Sequence, residues 1–156
     1  QKAIELDPHH TDALAFSALN KNQLKDFDKA YEQIQHALHH ETNNDFIYFI
    51  AGKIRYLQGE IEDAKMYFVK SYELQKTYDC EHMLGLCYFE LGNFEQANGI
   101  FKHMLEKNPL NVNLLLNSAK CYEKLGEKDE ALRVLDKITD TFPECEEAQE
   151  MIREIS

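Results

Sequence analysis

Helix breakers are scarce in this chain, with three prolines and six glycines in 156 residues. So few breakers, alongside 44% apolar residues, argue against disorder and suit a largely helical chain of one domain or one short repeat array. Cations are in deficit: 17 Lys and Arg face 28 Asp and Glu, a formal net charge of −11. Such a chain repels phosphate backbones, so nucleic acid is not the expected partner. The deficit is steep from Glu127 to Ser156, with 10 acids against 4 bases. That end is suited to a basic partner, and a solvated helix face is the plainer reading. No apolar run approaches the ~18 residues of a membrane span, and no signal peptide is visible. The expectation is a cytoplasmic chain without a membrane partner. Its start at Gln1 rather than Met reads as a fragment of something longer.

Catalytic motifs are missing as well. There is no Gly-rich phosphate loop, no nucleophile elbow and no HExxH, and the many carboxylates read as solvated helix faces. Neither an enzyme nor a cofactor is expected. Cys80, Cys87, Cys121 and Cys145 contain no CxxC pair, which removes zinc-ribbon and thioredoxin-type readings. Free thiols of this kind fit a reducing compartment. Histidines are plentiful, and His36 with His40 makes an i, i+4 pair beside His39. A helix C-terminus, where partial positive charge suits the dipole, accounts for them without a metal. His9-His10 sits in a loop after Pro8.

What is present is repetition. CYFELGNFEQANGIFKHMLEKNP, from Cys87 to Pro109, is echoed 34 residues later by CYEKLGEKDEALRVLDKITDTFP, from Cys121 to Pro143. Gly59, Ala64 and Phe68 lie 33 residues before Gly92, Ala97 and Phe101, and Ala30 and Ile34 lie 34 before Ala64 and Phe68. Ala18, Gly52, Gly85 and Ala119 form a matching series of small residues. Units are therefore placed at 11–44, 45–77, 78–111 and 112–145, with the tail of a preceding unit at 1–10 and a capping helix at 146–156. Ala148, Met151, Ile152 and Ile155 form the one apolar face of that last segment, which equally suits the first helix of a further unit.

Each unit reads as two helices. Met83, Leu84, Cys87, Tyr88 and Leu91 recur at three- and four-residue steps, Gly92-Asn93 interrupts, and Phe94, Ala97, Ile100, Phe101, Met104 and Leu105 resume until Asn108-Pro109. A helical pair of this size cannot bury its apolar faces alone, so copies must stack. Small residues such as Gly85, Ala119, Ala97 and Ala131 are expected where helices touch, with Phe68, Phe101, Tyr88 and Tyr122 filling the adjoining volume.

These units resemble the tetratricopeptide repeat, with its Leu-Gly, Tyr, Ala, Phe and Pro at set intervals. Unit 78–111 matches with Leu84, Gly85, Tyr88, Ala97, Phe101 and Pro109, and has Glu81 where a bulky aromatic is usual. Unit 112–145 matches with Leu115, Ala119, Tyr122, Ala131, Leu135 and Pro143. Unit 45–77 keeps Tyr48, Gly52, Ala64 and Phe68 but has Arg55 in place of Tyr, and unit 11–44 is the poorest match. The resemblance implies an all-α, right-handed α-solenoid of antiparallel helix pairs. It further implies a non-enzymatic scaffold that holds a partner peptide or helix in a concave groove lined by first helices.

Positions that face the groove in this family correspond to Asp12, Ala15, Leu19, Asn22 and Gln23 in the first unit, and to Phe46, Phe49, Lys53, Tyr56 and Leu57 in the second. The third unit supplies Asp79, His82, Leu86, Phe89 and Glu90, and the fourth Asn113, Leu116, Lys120, Glu123 and Lys124. The partner-binding set is accordingly Phe46, Phe49, Lys53, Tyr56, His82, Leu86, Phe89, Leu116, Lys120 and Lys124. An apolar centre with lysines around it suits an apolar-acidic ligand; the alternative is that these aromatics pack inside the array. A carboxylate clamp of the chaperone-tail kind is not supplied. The corresponding positions are Ala15, Leu19, Ile50, Asp79 and Met83, or one unit later Phe49, Lys53, Met83, Asn113 and Asn117. A different class of function also stands: a structural or self-assembling segment of a longer array, with no ligand of its own.

Overall fold

The computed structural model describes residues 24–39 and 43–156. Among them there is no strand, and the helices in chain order are α1 (Leu24–Leu38), α2 (Asp45–Leu57), α3 (Ile61–Leu74), α4 (Tyr78–Glu90), α5 (Phe94–Lys107), α6 (Val112–Lys124), α7 (Lys128–Thr141) and α8 (Glu146–Ile155). The segment 1–10 and the first helix expected for unit 11–44 lie outside the described residues, as do His9, His10 and His40.

Local chemistry sets the ends. The side-chain oxygen of Asn44 accepts from the Phe46 amide at 3.0 Å, and Asn111 caps α6 by accepting from the Leu114 amide at 3.2 Å. Asn108 and Phe142, each kept out of the helical region by the proline that follows, terminate α5 and α7. Between α4 and α5, Gly92 sits at φ +80, its amide donating to the Phe89 carbonyl while the Asn93 amide reaches back to Tyr88 at 2.8 Å. That pair of bonds closes the helix C-terminus and demands a left-handed residue that only glycine adopts at little cost. Gly59 and Gly126 repeat the arrangement.

The chain divides into two compact units, one ending at Glu81 and the other beginning at His82. In the first, Phe27, Ala30 and Ile34 of α1 meet Ile50, Ala51 and Ile54 of α2 in one buried cluster. Phe68 of α3 is fully buried and lies so close to Gly52 that a Cβ there would come within 2.7 Å of its ring. The Cys80 thiol donates to the Phe68 carbonyl at 3.1 Å.

In the second unit, Ala97, Phe101, Met104, Leu114 and Cys121 form one core cluster. Leu115, Leu116, Ala119, Leu135, Ile138, Ala148 and Met151 form another. A Cβ at Gly85 would lie 2.6 Å from the Phe101 ring, which is also fully buried. Small and large residues are therefore matched across sixteen positions: Gly52 with Phe68, Gly85 with Phe101, and Ala119 with Leu135 in the same cluster. Where the small residue gains a methyl, the large one loses a ring. Each buried Phe contributes roughly 1.5–3 kcal/mol through removal of apolar surface from water. Tyr122, expected to fill core volume, is only half-buried.

Candidate functional site

The first unit places the five expected groove positions Phe46, Phe49, Lys53, Tyr56 and Leu57 on α2. Phe46 and Phe49 are half-buried and pack against the α1–α2 cluster; Phe49 also tilts against Phe68, with ring centroids 5.7 Å apart. Lys53, one helical turn on, holds its ammonium 5.5 Å from the Phe49 ring centroid. Tyr56 is half-buried, and Leu57 is exposed. These side chains present part of an aromatic surface beside one cation.

Arg55 departs from the repeat pattern, and the structure shows what it does instead. Its guanidinium stacks 4.6 Å over the Tyr31 ring, bonds Asp63 at 2.5 Å and donates to Gln58 at 3.0 Å. Tyr31 and Tyr67 share a hydroxyl hydrogen bond of 2.9 Å. Burial, and then the Tyr31 partner, raise the Tyr67 pKa above its ordinary value. The network stitches α1, α2 and α3 together with its charges already paired.

In the second unit, α4 and α6 share a face. His82 Nε2 and Asn117 Nδ2 are 3.3 Å apart across the two helices. Leu86 and Phe89 are half-buried on the Phe101 cluster, and Phe89 meets Phe94 edge-on at 5.1 Å. Lys124 is exposed. Two of the expected residues are committed elsewhere. Leu116 is only 6% exposed, because α8 lays Ala148 and Met151 into the same cluster, so it is core rather than groove surface. Lys120 pairs with Glu147 of α8 at 2.6 Å, so its charge already has a partner within the chain.

His36 and His39 are both exposed, at and just beyond the end of α1. Among the described residues, no group of three or more His, Cys, Asp or Glu is placed to hold a metal ion. Two buried thiols are poorly reactive by environment: burial raises the Cys80 pKa and pushes Cys121 up to about 12. Among the described residues, no helix is long and apolar enough to cross a membrane.

One feature escaped sequence reasoning. A recess of about 520 Å³ is floored by α5 and walled by the α6–α7 corner, with Glu95, Asn98, Gly99, Lys102 and Tyr122 among its lining. The signal in the chain is Gly99, a glycine at mid-helix with nothing within 4 Å of the position a Cβ would take.

Comparison with known proteins places this architecture. The family description "tetratricopeptide repeat" matches residues 88–155. The chain is 32% identical over 110 residues to the BBSome complex member BBS4 of Bos taurus, covering 70% of this chain and 21% of that protein. It is 30% identical over 134 residues to the Hsp70-Hsp90 organizing protein of Triticum aestivum, covering 83% of this chain and 21% of that one. This chain thus spans about a fifth of the length of these curated relatives. Among solved structures, YrrB, a TPR protein with an unusual peptide-binding site, superposes at a TM-score of 0.72 and 20% identity, covering 96% of this chain and 84% of that one. That likeness is one of fold.

Proposed function

Because this chain is a tetratricopeptide-repeat protein, with the all-α fold of the TPR solenoids, we propose that it acts as a protein–protein interaction scaffold and not as an enzyme. Each unit offers a first-helix surface, α2 in the first and α4 with α6 in the second, to a peptide or helix of a partner protein. The observation that carries this reading is incomplete burial: Phe46, Phe49, Tyr56, Leu86 and Phe89 pack on or beside their cores yet keep part of their surface in solvent. Half-buried aromatics on a rigid helix are pre-organised anchors, and such residues carry most of the energy at protein interfaces. The peptide-binding site of YrrB, on the same fold, supports this reading. Lys53 and Lys124 suit acidic groups on the ligand, guiding encounter more than affinity. Similarity to the wheat Hsp70-Hsp90 organizing protein does not bring a two-sided cationic carboxylate clamp, since the corresponding positions hold Phe49, Lys53, Met83, Asn113 and Asn117, with a single cation among them.

Phe49→Ala is expected to cost a bound partner about 1–3 kcal/mol with helicity unchanged, and Lys124→Ala less, in a salt-dependent way. The test is a pull-down from native lysate with wild type and the Phe49→Ala, Phe89→Ala double variant. Equal recovery of the same partners by a folded double variant would refute the first-helix surface. The second reading, a structural segment of a longer array, draws on α8, which occupies Leu116 and Lys120 as a further repeat would.

A further inference from the structure

The sequence holds a single Asn-Gly pair, Asn98-Gly99, and the structure sets it in the middle of α5. Asn-Gly is the dipeptide most prone to spontaneous loss of the side-chain amide, because glycine leaves the backbone nitrogen after the asparagine unshielded. Packing does not call for a glycine here. Nothing lies within 4 Å of the position a Cβ would take, and Gly99 is not among the glycines with positive φ. The residue therefore weakens the helix and leaves its neighbour open to chemistry, while serving no close contact.

The fold guards the pair. Helical geometry keeps ψ of Asn98 near about −42° and directs the Gly99 amide to the carbonyl four residues back, away from the Asn98 side chain. Asn98 is only 6% exposed, which keeps water from its side-chain amide. Its Oδ1 accepts from Ser118 Oγ at 2.7 Å, and that bond ties the side chain to α6.

We propose that Asn98-Gly99 is a covalent modification site that α5 keeps closed and that reacts when the helix opens. In the opened segment the Gly99 backbone nitrogen gives its proton to solvent and attacks Cγ of Asn98. The new N–Cγ bond forms as the Cγ–Nδ2 bond breaks, and Nδ2 takes up a proton and leaves as ammonia. Water then opens the cyclic imide at either carbonyl, giving aspartate or isoaspartate; no oxidant or reductant takes part. Isoaspartate adds a methylene to the backbone and breaks the hydrogen-bond ladder of α5. Aspartate sets a carboxylate where the fold buries a neutral amide. Either product works against repacking of Ala97, Phe101 and Met104, the α5 side chains of the core. Opening of the second unit thereby becomes a one-way step.

The test holds the 156-residue chain at neutral pH, folded in buffer or unfolded in guanidinium chloride, and follows Asn98 by peptide mass spectrometry. Conversion should be about a hundredfold or more faster in the unfolded chain, because the folded-state rate tracks the open fraction of α5. In the unfolded chain Asn98 should convert ahead of Asn93 and Asn113, which precede Phe94 and Leu114. Gly99→Ala should slow the unfolded chain at Asn98 by about tenfold or more. Ser118→Ala should speed the folded chain about fivefold, the worth of one hydrogen bond, and leave the unfolded rate unchanged. Converted chain returned to buffer should show less helical circular dichroism and a lower urea midpoint than unconverted chain treated alike. Equal rates in the folded and unfolded chain would overturn the proposal, as would first conversion at another asparagine. Recovery of the native midpoint by the converted chain would refute the one-way step.

Discussion

Alanine at Gly85 and alanine at Gly99 are the same chemical change in the same kind of helix, and they should move stability in opposite directions. Removing a mid-helix glycine stabilises by about 1 kcal/mol, through lower backbone entropy in the unfolded chain. Gly99→Ala keeps that gain whole, since its new Cβ meets nothing within 4 Å. Gly85→Ala drives a Cβ to 2.6 Å from Phe101 Cε1 and 2.9 Å from Cζ. Phe101 is fully buried, so the ring has no free space to turn into. Overpacking of this kind costs about 1–3 kcal/mol, leaving Gly85→Ala destabilised by about 0–2 kcal/mol after the helix gain. The two variants should therefore differ by about 1–3 kcal/mol, or about 0.5–1.5 M in urea midpoint at a slope near 2 kcal/mol/M. A double-mutant cycle with Phe101→Leu should recover most of the loss, because it rebuilds the Ala119–Leu135 pairing of the following repeat. Equal upward shifts for Gly85→Ala and Gly99→Ala would show that the Phe101 ring does not resist the new methyl group.

Ala97→Leu and Ala131→Leu, both at fully buried helix crossings, should each lower the urea midpoint by an amount worth about 1–3 kcal/mol or more; wild-type midpoints would place the contact wrongly. Stability should also fall on the alkaline side. Burial pushes the Cys121 thiol up to about 12 from its ordinary 9.0, so its contribution is complete below about pH 9 and is lost as pH rises toward 12. Melts at pH 8 and pH 10 check this: Cys121→Ala should flatten the decline, and an undiminished decline assigns it to other groups. Zinc calorimetry on untagged protein should show no stoichiometric site, and a tight site abolished by His36→Ala would reverse that expectation.

The sequence by itself determined the repeat and its phase. Small and large residues recurring every 33 or 34 positions, with Gly92 and Gly126 at the turns and Pro109 and Pro143 beyond the helix ends, are local and periodic signals that need no coordinates. The core positions Ala64, Phe68, Ala97, Phe101, Ala131 and Leu135 followed from that phase and are fully buried. Surface availability did not follow. Leu116 and Lys120 fall at positions expected to face a groove, yet α8 helps bury one and pairs with the other, since exposure depends on what stacks next and not on position within a unit. Arg55 read as a lapse in the pattern, because its partners Tyr31 and Asp63 come from other helices. The recess at Gly99 and Asn98 was hidden for the same reason: a glycine and an amide in a helix carry no meaning until tertiary packing decides which side chains are left to face them.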